Sequence, residues 1–331
     1  DMKGNARTSG ERRRREGGNV FSDQIRVGIA IYFLIRKEKG DSCKIFYTCV
    51  DDYLKAADKK AYLRDNKFRD LQFDHIRPDK RHNWINIPEN DWDECIPVAS
   101  KSVKKAKDRI HAEAIFKLFS LGVVSARDEW VYDFDQYTLK EKIKYFCNLY
   151  ECEKKRWRKN KKGESINDFV DRSIKWTAEL EKHLTRGTDI AFNKKYVKDA
   201  IYRPFVKCKL YFDNVIIHRP YQIPDIFGLG VKADNIVICI NVGNKPFNVL
   251  AANIIPDYHF NGDAQCLPLY RYDKSGKRRD NITPWALKQF REHYKDKSIS
   301  RKDIFYYVYA VLHDPSYRSK YEINLKKELP R

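Results

Sequence analysis

The sequence lacks a Cys-x-x-Cys pair, and none of its eight cysteines has a histidine at zinc-finger spacing. We therefore expect no zinc site and no other metal site in this chain. It also has no apolar run long enough to span a bilayer and no signal peptide. Cysteines without a metal or disulfide pattern are typical of free thiols in a reducing compartment. We expect a cytoplasmic location and no membrane partner.

Signatures of catalysis are missing as well. Gly228-Leu229-Gly230 lacks the third glycine and the following helix start of a loop that binds phosphates. Pro-Asp occurs three times, but no Glu-x-Lys follows on a strand, so a nuclease centre is not indicated. His218 and His259 have no second histidine at helical or strand spacing, so we interpret both as core or surface imidazoles rather than as ligands. We predict no catalytic residue in this chain.

Positive charge, in contrast, is abundant and unevenly distributed. The 331 residues contain 66 Lys and Arg against 46 Asp and Glu, a formal charge of +20. Residues 1–100 hold 20 basic against 17 acidic side chains, residues 101–200 hold 24 against 16, and residues 201–331 hold 22 against 13. Basic excess on an aromatic-rich globular chain favours a polyanionic partner, because Lys and Arg that neutralise phosphates release counterions. A cationic surface that serves only solubility is the alternative.

The N-terminal pattern predicts an incomplete sheet. Residues 27–36 and 44–50 form β-branched and aromatic runs, separated by a polar turn, as in a hairpin that is buried on both faces. Few residues precede this hairpin, and the chain contains a single Met. We therefore expect residues 1–95 to be the end of a domain that starts elsewhere, followed by a second domain over residues 96–331.

The second domain reads as mixed α/β with a helical C-terminus. Helices are predicted from Ser102, from Thr138 and from Ser165, with a dense basic run at 154–162 between the last two. Short strands are predicted at 206–212, 215–218, 235–242 and 266–272. Three helix starts follow, at Thr283, Ser300 and Asp314.

Recognition of nucleic acid is the chemistry that these residues suit best. Arg, Lys, Asn and Gln read base edges in the major groove, and cationic side chains hold phosphates. Polar loops and the basic run supply the candidate contacts, which are Arg127, Arg203, Arg219, Asn244, Lys245, Gln265, Lys277, Arg278, Arg279, Lys155, Arg156 and Arg158. Each of these could instead be a solvated surface residue, and Arg127 could form a structural ion pair with Asp128.

The N-terminal segment resembles the late part of adenine-N6 DNA methyltransferases of the Asn-Pro-Pro-Tyr type. The resemblance lies in the loop Asn19-Val20-Phe21 and the Val27-Gly28 strand that ends at Arg36. It implies a Rossmann-like catalytic sheet and a stacking role for Phe21 on an extruded adenine; an ordinary loop-to-core anchor is the alternative. The family's Asn-Pro-Pro-aromatic motif is absent, since Asn244-Lys245-Pro246-Phe247 has Lys in place of the first Pro. The resemblance thus implies S-adenosylmethionine only for the intact parent, with no cofactor in this part.

Four further motifs, in consistent order, resemble the C-terminal specificity region of type ISP restriction-modification enzymes. They are Leu121-Gly122-Val123-Val124-Ser125-Ala126-Arg127-Asp128-Glu129-Trp130, Tyr202-Arg203-Pro204-Phe205, Ile255-Pro256-Asp257-Tyr258-His259 with Gly262-Asp263-Ala264-Gln265-Cys266, and Asn281-Ile282-Thr283-Pro284-Trp285-Ala286-Leu287 through Asp303-Ile304-Phe305-Tyr306-Tyr307-Val308-Tyr309. The resemblance implies a target-recognition domain that binds double-stranded DNA beside a methyltransferase core, a translocase and a nuclease in one polypeptide. A subunit that completes a methyltransferase site in trans, and a non-catalytic module for RNA or protein, are the alternatives.

Overall fold

The computed structural model describes residues 1–7, 10–21, 24–36, 43–105, 113–160, 165–228, 234–243 and 245–331. The chain divides into two compact units, Asp1–Glu89 and Asn90–Arg331. Both units combine helices with short strands, so the predicted mixed α/β class is confirmed.

The first unit is small and has a modest core. Its helices and strands are α1 (Gly10–Arg15), β1 (Ile45–Tyr47), α2 (Ala56–Asp65) and β2 (Asp74–Ile76), with a 3-10 turn at Phe68–Asp70. β1 pairs antiparallel with β2. Met2, Val20 and Val50 form the buried cluster. The ammonium group of Lys59 is buried beside it and donates to the carbonyl of Gly18 at 2.9 Å.

The predicted hairpin of residues 27–36 and 44–50 is not formed. Residues 28–36 lie outside any helix or strand, and Leu34 and Ile35 are each 83% exposed. A strand needs a neighbouring backbone to pair with. Among the described residues, this run forms backbone hydrogen bonds only through Ile29, with Met2 and Lys3. Without a sheet on either side, the apolar run cannot be buried within the described residues. The Rossmann-like sheet therefore stays a prediction.

The second unit carries most of the regular structure. Its helices are α3 (Lys101–Lys105), α4 (Asp128–Val131), α5 (Gln136–Arg158), α6 (Ile166–Phe169), α7 (Ala178–Thr185), α8 (Ile223–Phe227), α9 (Pro284–Tyr294), α10 (Arg301–His313), α11 (Pro315–Lys320) and α12 (Glu322–Leu325), with 3-10 turns at Trp92–Glu94 and Lys194–Tyr196. Its strands are β3 (Ser120–Leu121), β4 (Tyr132–Asp133), β5 (Val197–Arg203), β6 (Val206–Tyr211), β7 (Val237–Ile240), β8 (Val249–Ala252), β9 (Ile255–Pro256), β10 (Gln265–Pro268), β11 (Tyr270–Tyr272) and β12 (Arg278–Asp280).

Two four-stranded sheets organise this unit. The first has the order β3-β10-β7-β8 and is antiparallel; the second has the order β4-β6-β5-β9 and is antiparallel except where β5 meets β9. Side chains alternate along β7, so Ile238 and Ile240 pack in the core with α9 and α10, whereas Cys239 joins the core of the second sheet and α5. The first sheet is therefore buried on both faces, which explains its continuous apolar strands.

The helix starts at Thr283, Ser300 and Asp314 are confirmed, and each of these side chains accepts a hydrogen bond from the first turn of its helix. The predictions for the middle of the chain were less accurate. α5 begins two residues before Thr138 and is capped by Asp135. It then continues through the basic run to Arg158.

Three other segments differ from the prediction. The helix from Ser165 is broken into α6 and α7, and the strand at 215–218 is a turn. The helix predicted from Ser102 corresponds to α3, which ends at Lys105. Residues 106–112 lie outside the described residues, and the segment from 113 to 119 is not helical.

Candidate nucleic-acid interface

The β5–β6 hairpin projects an aromatic side chain from its turn. Arg203 pairs with Val206, which leaves Pro204 and Phe205 as a two-residue loop. Phe205 has a φ of +65° and is 89% exposed. We refer to β5, β6 and this loop as the tip hairpin.

Arg203, the residue before the loop, fastens the loop end of the tip hairpin to the rest of the unit. Its guanidinium lies 3.8 Å from the centre of the Tyr202 ring and donates to a carboxylate oxygen of Asp257 at 2.6 Å. A second nitrogen lies 3.6 Å from Asp128. The phenol of Tyr202 also donates to Asp128, at 2.9 Å. These contacts hold the guanidinium in one orientation although it is partly exposed.

Asp257 is the buried centre of this arrangement, with 2% of its surface exposed. Burial raises the pKa of its carboxyl group, while the hydrogen bond from the backbone of His259 opposes that rise. Tyr132 donates to its other oxygen at 3.2 Å. The carboxylate is therefore well supplied with donors, as a buried charge requires.

The chain continues from Asp257 into a surface loop where several polar side chains meet. The carboxylate of Asp263 lies 3.2 Å from the ammonium of Lys245 and 3.5 Å from the imidazole of His259. Burial raises the pKa of Tyr258, and its hydrogen bond with Asp263 adds to the rise.

Arg219 joins the same surface from a neighbouring segment. Its backbone exchanges hydrogen bonds with Val124, and a hydrogen bond with Tyr221 raises the pKa of its guanidinium. Tyr221 in turn lies close enough to Tyr258 to influence its pKa. We define the loop cluster as the side chains joined in this way, which are Arg219, Tyr221, Lys245, Tyr258, His259 and Asp263.

Gln265 follows the loop as the first residue of β10 and is half-buried. Four predicted contact residues, Arg203, Arg219, Lys245 and Gln265, are thus brought together around the loop 257–264. Arginine, lysine, tyrosine and histidine donors, interleaved with aromatic rings, suit a backbone of phosphates and the edges of bases.

The prediction of Arg127 as a nucleic-acid contact was wrong. This side chain is fully buried, and its guanidinium donates to the carbonyls of Ile216 and Lys175 and to the hydroxyl of Thr177. Burial lowers the pKa of the guanidinium to about 10. Arg127 is not paired with Asp128 in the way considered above, because Asp128 is occupied by Ser125 and Tyr202. Arg127 instead supports the turn that leads to Arg219.

Lys277, Arg278 and Arg279 lie on a separate, exposed hairpin made by β11 and β12. Asp273 organises its turn by accepting hydrogen bonds from the hydroxyl and backbone of Ser275 and from the backbone of Lys277. These bonds, led by that of the Ser275 side chain, lower the pKa of Asp273 to about 2. The hairpin follows the end of β10 opposite Gln265, so it is a second basic surface distinct from the loop cluster.

The basic run of residues 154–158 forms the last turns of α5. Lys154 is buried and pairs with Glu151 and Asp189, while Arg156 pairs with Glu153 and lies over the ring of Phe169. Lys155 and Arg158 are exposed. Cations at a helix C-terminus complement its dipole, so part of this run has a structural role.

The remaining predicted residues are Phe21 and Asn244. Phe21 belongs to the first unit and is 69% exposed, so it does not anchor its loop in the described core. Its stacking role stays a prediction. Asn244 lies outside the described residues.

Sequence reasoning missed the residues that organise the site. Asp257 and Asp128 are acidic, and a search for contacts with a polyanion passes over acids. Phe205 was also missed, although it lies two residues after the predicted contact Arg203. The signal that could have identified it is a proline followed by a large aromatic residue in a hairpin loop.

No group of His, Cys, Asp and Glu that could hold a metal ion occurs among the described residues. No helix in the described ranges has the length and apolarity needed to cross a membrane.

Comparisons with known proteins identify a family to which this chain is similar. The family model described as the type ISP C-terminal specificity domain matches residues 114–331, which is more than half of the chain. No curated protein matches.

Three solved structures are similar over almost the whole chain. The first, "cryoEM structure DrdV-DNA complex", has 46% identity and a TM-score of 0.85 over 100% of this chain and 32% of that one. A nuclease-deletion mutant of the type ISP restriction-modification enzyme LlaGI, in complex with a DNA substrate mimic, has 29% identity and a TM-score of 0.79 over 99% of this chain and 25% of that one. The ATP-dependent type ISP enzyme LlaBIII bound to DNA has 24% identity and a TM-score of 0.80 over 99% of this chain and 22% of that one, which supports the fold alone. This chain thus spans a third or less of each of these proteins.

Proposed function

This chain belongs to the family of type ISP C-terminal specificity domains, and we propose that it recognises a specific sequence in double-stranded DNA. The observation that carries the proposal is the convergence of Arg203, Arg219 and Lys245, from three separate segments, around the loop 257–264, which Gln265 follows directly in the chain. The DNA-bound state of the DrdV and LlaGI structures supports DNA as the polyanion.

Affinity and discrimination come from different residues in this proposal. Lys277, Arg278 and Arg279, together with Lys155 and Arg158, are exposed cations that suit phosphates and carry no sequence information by themselves. The loop cluster and Gln265 supply donors and acceptors for base edges, where each good contact discriminates by about 1–3 kcal/mol.

We also propose that the parent polypeptide is a restriction-modification enzyme that methylates adenine N6 and acts in the cytoplasm. In this proposal S-adenosylmethionine binds to other segments of the parent, because this sequence includes neither a Gly-rich cofactor loop nor an Asn-Pro-Pro-aromatic motif. Methyl transfer, translocation and cleavage therefore belong to other segments of the parent. Phe21, exposed on its loop, is the proposed stacking partner of the target adenine.

A competition experiment tests the proposal. The purified chain is bound to a labelled duplex at low salt, and unlabelled duplex DNA, single-stranded DNA and double-stranded RNA of the same sequence are added in turn. We expect duplex DNA to be the best competitor. Stronger competition by RNA or by single strands would favour an RNA-binding module, and the absence of duplex binding would refute the proposal.

A selection experiment then identifies the sequence. Duplexes with a randomised centre are enriched by repeated binding to the chain at moderate salt, where non-specific binding is weak. We expect one asymmetric motif to emerge. A pool that stays random after enrichment would show that the chain binds duplex DNA without reading it.

A further inference from the structure

The turn of the tip hairpin places a large aromatic residue where glycine is favoured. Pro204 occupies the first loop position and Phe205 the second, with φ of +65°. Proline followed by a left-handed residue is the pattern of a type II turn, whose second position favours Gly or Asn. A bulky residue in this backbone region is a genuine outlier and persists only where the surrounding structure imposes it.

The same side chain is the most exposed of the large hydrophobic residues in the described part of the chain. Phe205 is 89% exposed, whereas Tyr202, three residues earlier, packs against Arg203 and Tyr132. Neither the strained backbone nor the exposed ring stabilises the folded unit. We therefore infer that the ring contacts another molecule.

The hairpin is held firmly beside its loop. Arg203 contacts Asp257 and Asp128, and the backbone of Asp257 donates to the carbonyl of Ile201. The strands below the loop pair continuously, apart from one irregularity between Ile201 and Arg203. The backbone that carries Phe205 is therefore held in place, so little backbone entropy is lost when the ring makes contact.

The surroundings of the ring are cationic. Arg203 and the exposed Lys207 flank the loop. The loop cluster follows directly from Asp257, which Arg203 contacts. An apolar ring surrounded by cations suits the stacked bases and flanking phosphates of a duplex better than an apolar protein surface.

We propose that Phe205 is an intercalating wedge that inserts its ring at a base step of the bound duplex and partly unstacks it. The inference rests on the proposed function and extends it, because it assigns to one residue the deformation of the DNA. Flexible steps such as TA or CA would then be favoured at that position, although the ring reads no base edge.

The test compares three variants of the 331-residue chain. Phe205→Gly removes the ring and suits the left-handed backbone, so it is expected to fold with an unchanged or higher melting temperature. Phe205→Trp keeps a ring for stacking. Phe134→Ala removes another exposed Phe, 77% exposed in the segment before α5, and serves as the matched control.

Each protein is bound to the duplex enriched from the random pool, in which 2-aminopurine replaces adenine at one position at a time. The wild-type chain is expected to raise the emission of 2-aminopurine at one step, and Phe205→Gly to abolish that rise. Loss of stacking with one base weakens affinity by roughly five- to a hundredfold. Phe205→Trp and Phe134→Ala are expected to retain both the emission and the affinity.

The outcomes separate this inference from the proposed function. If Phe205→Gly binds the enriched duplex as the wild type does and leaves the emission pattern unchanged, insertion is overturned while duplex recognition stands. A loss of affinity without any emission change in the wild type would also overturn insertion, because the ring would then contact only the outside of the duplex. If the wild-type chain binds no duplex, the proposed function fails and this inference fails with it.

Discussion

At the scale of single residues, three arginines of the second unit differ in their environments. Arg127 is fully buried among backbone carbonyls, Arg203 is partly exposed and paired with Asp257 and Asp128, and Arg219 is exposed. The sequence around each arginine does not reveal its environment, because the hydrogen-bond partners lie far away in the chain. The partners of Arg127 lie 48 to 89 residues away, and Asp257, the closest acidic partner of Arg203, lies 54 residues away. Residue type alone therefore identified cations but not their roles.

Replacement of Arg127 tests its structural role. Arg127→Met leaves the carbonyls of Lys175 and Ile216 without their donor, so we expect the free energy of unfolding to fall by about 3 kcal/mol. Urea unfolding followed by circular dichroism measures the change. Arg219→Met, at an exposed position, is the matched control, with an expected change of about 0.5 kcal/mol or less.

We expect DNA binding by the same two variants to show the opposite order. At a temperature where both are folded, Arg219→Met is expected to weaken binding of the enriched duplex and Arg127→Met to leave it nearly unchanged. Equal stability of Arg127→Met and wild type would contradict the buried role assigned here.

At the scale of elements, two hairpins present the exposed chemistry of the second unit. The tip hairpin is fastened beside its loop by a buried carboxylate, whereas the β11–β12 hairpin is ordered by the turn around Asp273. The first is adjacent to the loop cluster, and the second follows the opposite end of β10. We therefore expect the first to affect discrimination and the second to affect affinity.

Removal of the buried carboxylate tests the anchoring of the tip hairpin. Asp257→Asn deprives Arg203 of its closest acidic partner, so we expect the free energy of unfolding to fall by about 3 kcal/mol. Amide hydrogen exchange is expected to accelerate in β5 and β6. Asp199→Asn breaks another ion pair of the same hairpin, with Lys209 at 2.5 Å.

Because Asp199 is largely exposed, its replacement is expected to cost less than about 1 kcal/mol. Exchange in β5 and β6 is expected to stay at the wild-type rate in that control. Similar destabilisation by the two replacements would show that Asp257 does not anchor the hairpin.

Charge reversal on the β11–β12 hairpin tests its contact with phosphates. Conversion of Lys277, Arg278 and Arg279 to Glu is expected to weaken duplex binding and to reduce the slope of log affinity against log salt by up to about 3, since each phosphate contact contributes about 0.9. Fluorescence anisotropy over a range of salt concentrations gives the slope. Reversal of Lys194, Lys195 and Lys198, at the end of β5 away from the tip, controls for the change in net charge. An unchanged slope in the first variant would exclude that hairpin from the interface.

At the scale of the whole molecule, the features that depend on local sequence signals were predicted well. The mixed α/β class, the C-terminal helix starts at Thr283, Ser300 and Asp314, and the strands β6 and β7 depend on local signals such as caps and apolar runs. Membership in the type ISP specificity family also followed from motifs that stand in the sequence itself.

Features that depend on distant partners were predicted poorly. The apolar run at residues 28–36 has strand composition, yet it lies exposed because the described residues offer no sheet to pair with it. α5 extends through a basic run that looked like a connection, because Glu151, Glu153 and Asp189 pair with its cations. Likewise, convergence around the loop 257–264 depends on the buried Asp257, which no local pattern reveals.

The central claim is that this chain distinguishes one DNA sequence from others of equal charge. The most direct test is the ratio of equilibrium affinities for the enriched duplex and for a duplex of the same length and base composition in shuffled order, measured by fluorescence anisotropy at one salt concentration. Our account predicts a ratio of about a thousandfold, typical of specific over non-specific binding. Equal affinities for the two duplexes would contradict it, because the chain would then bind phosphates without reading bases.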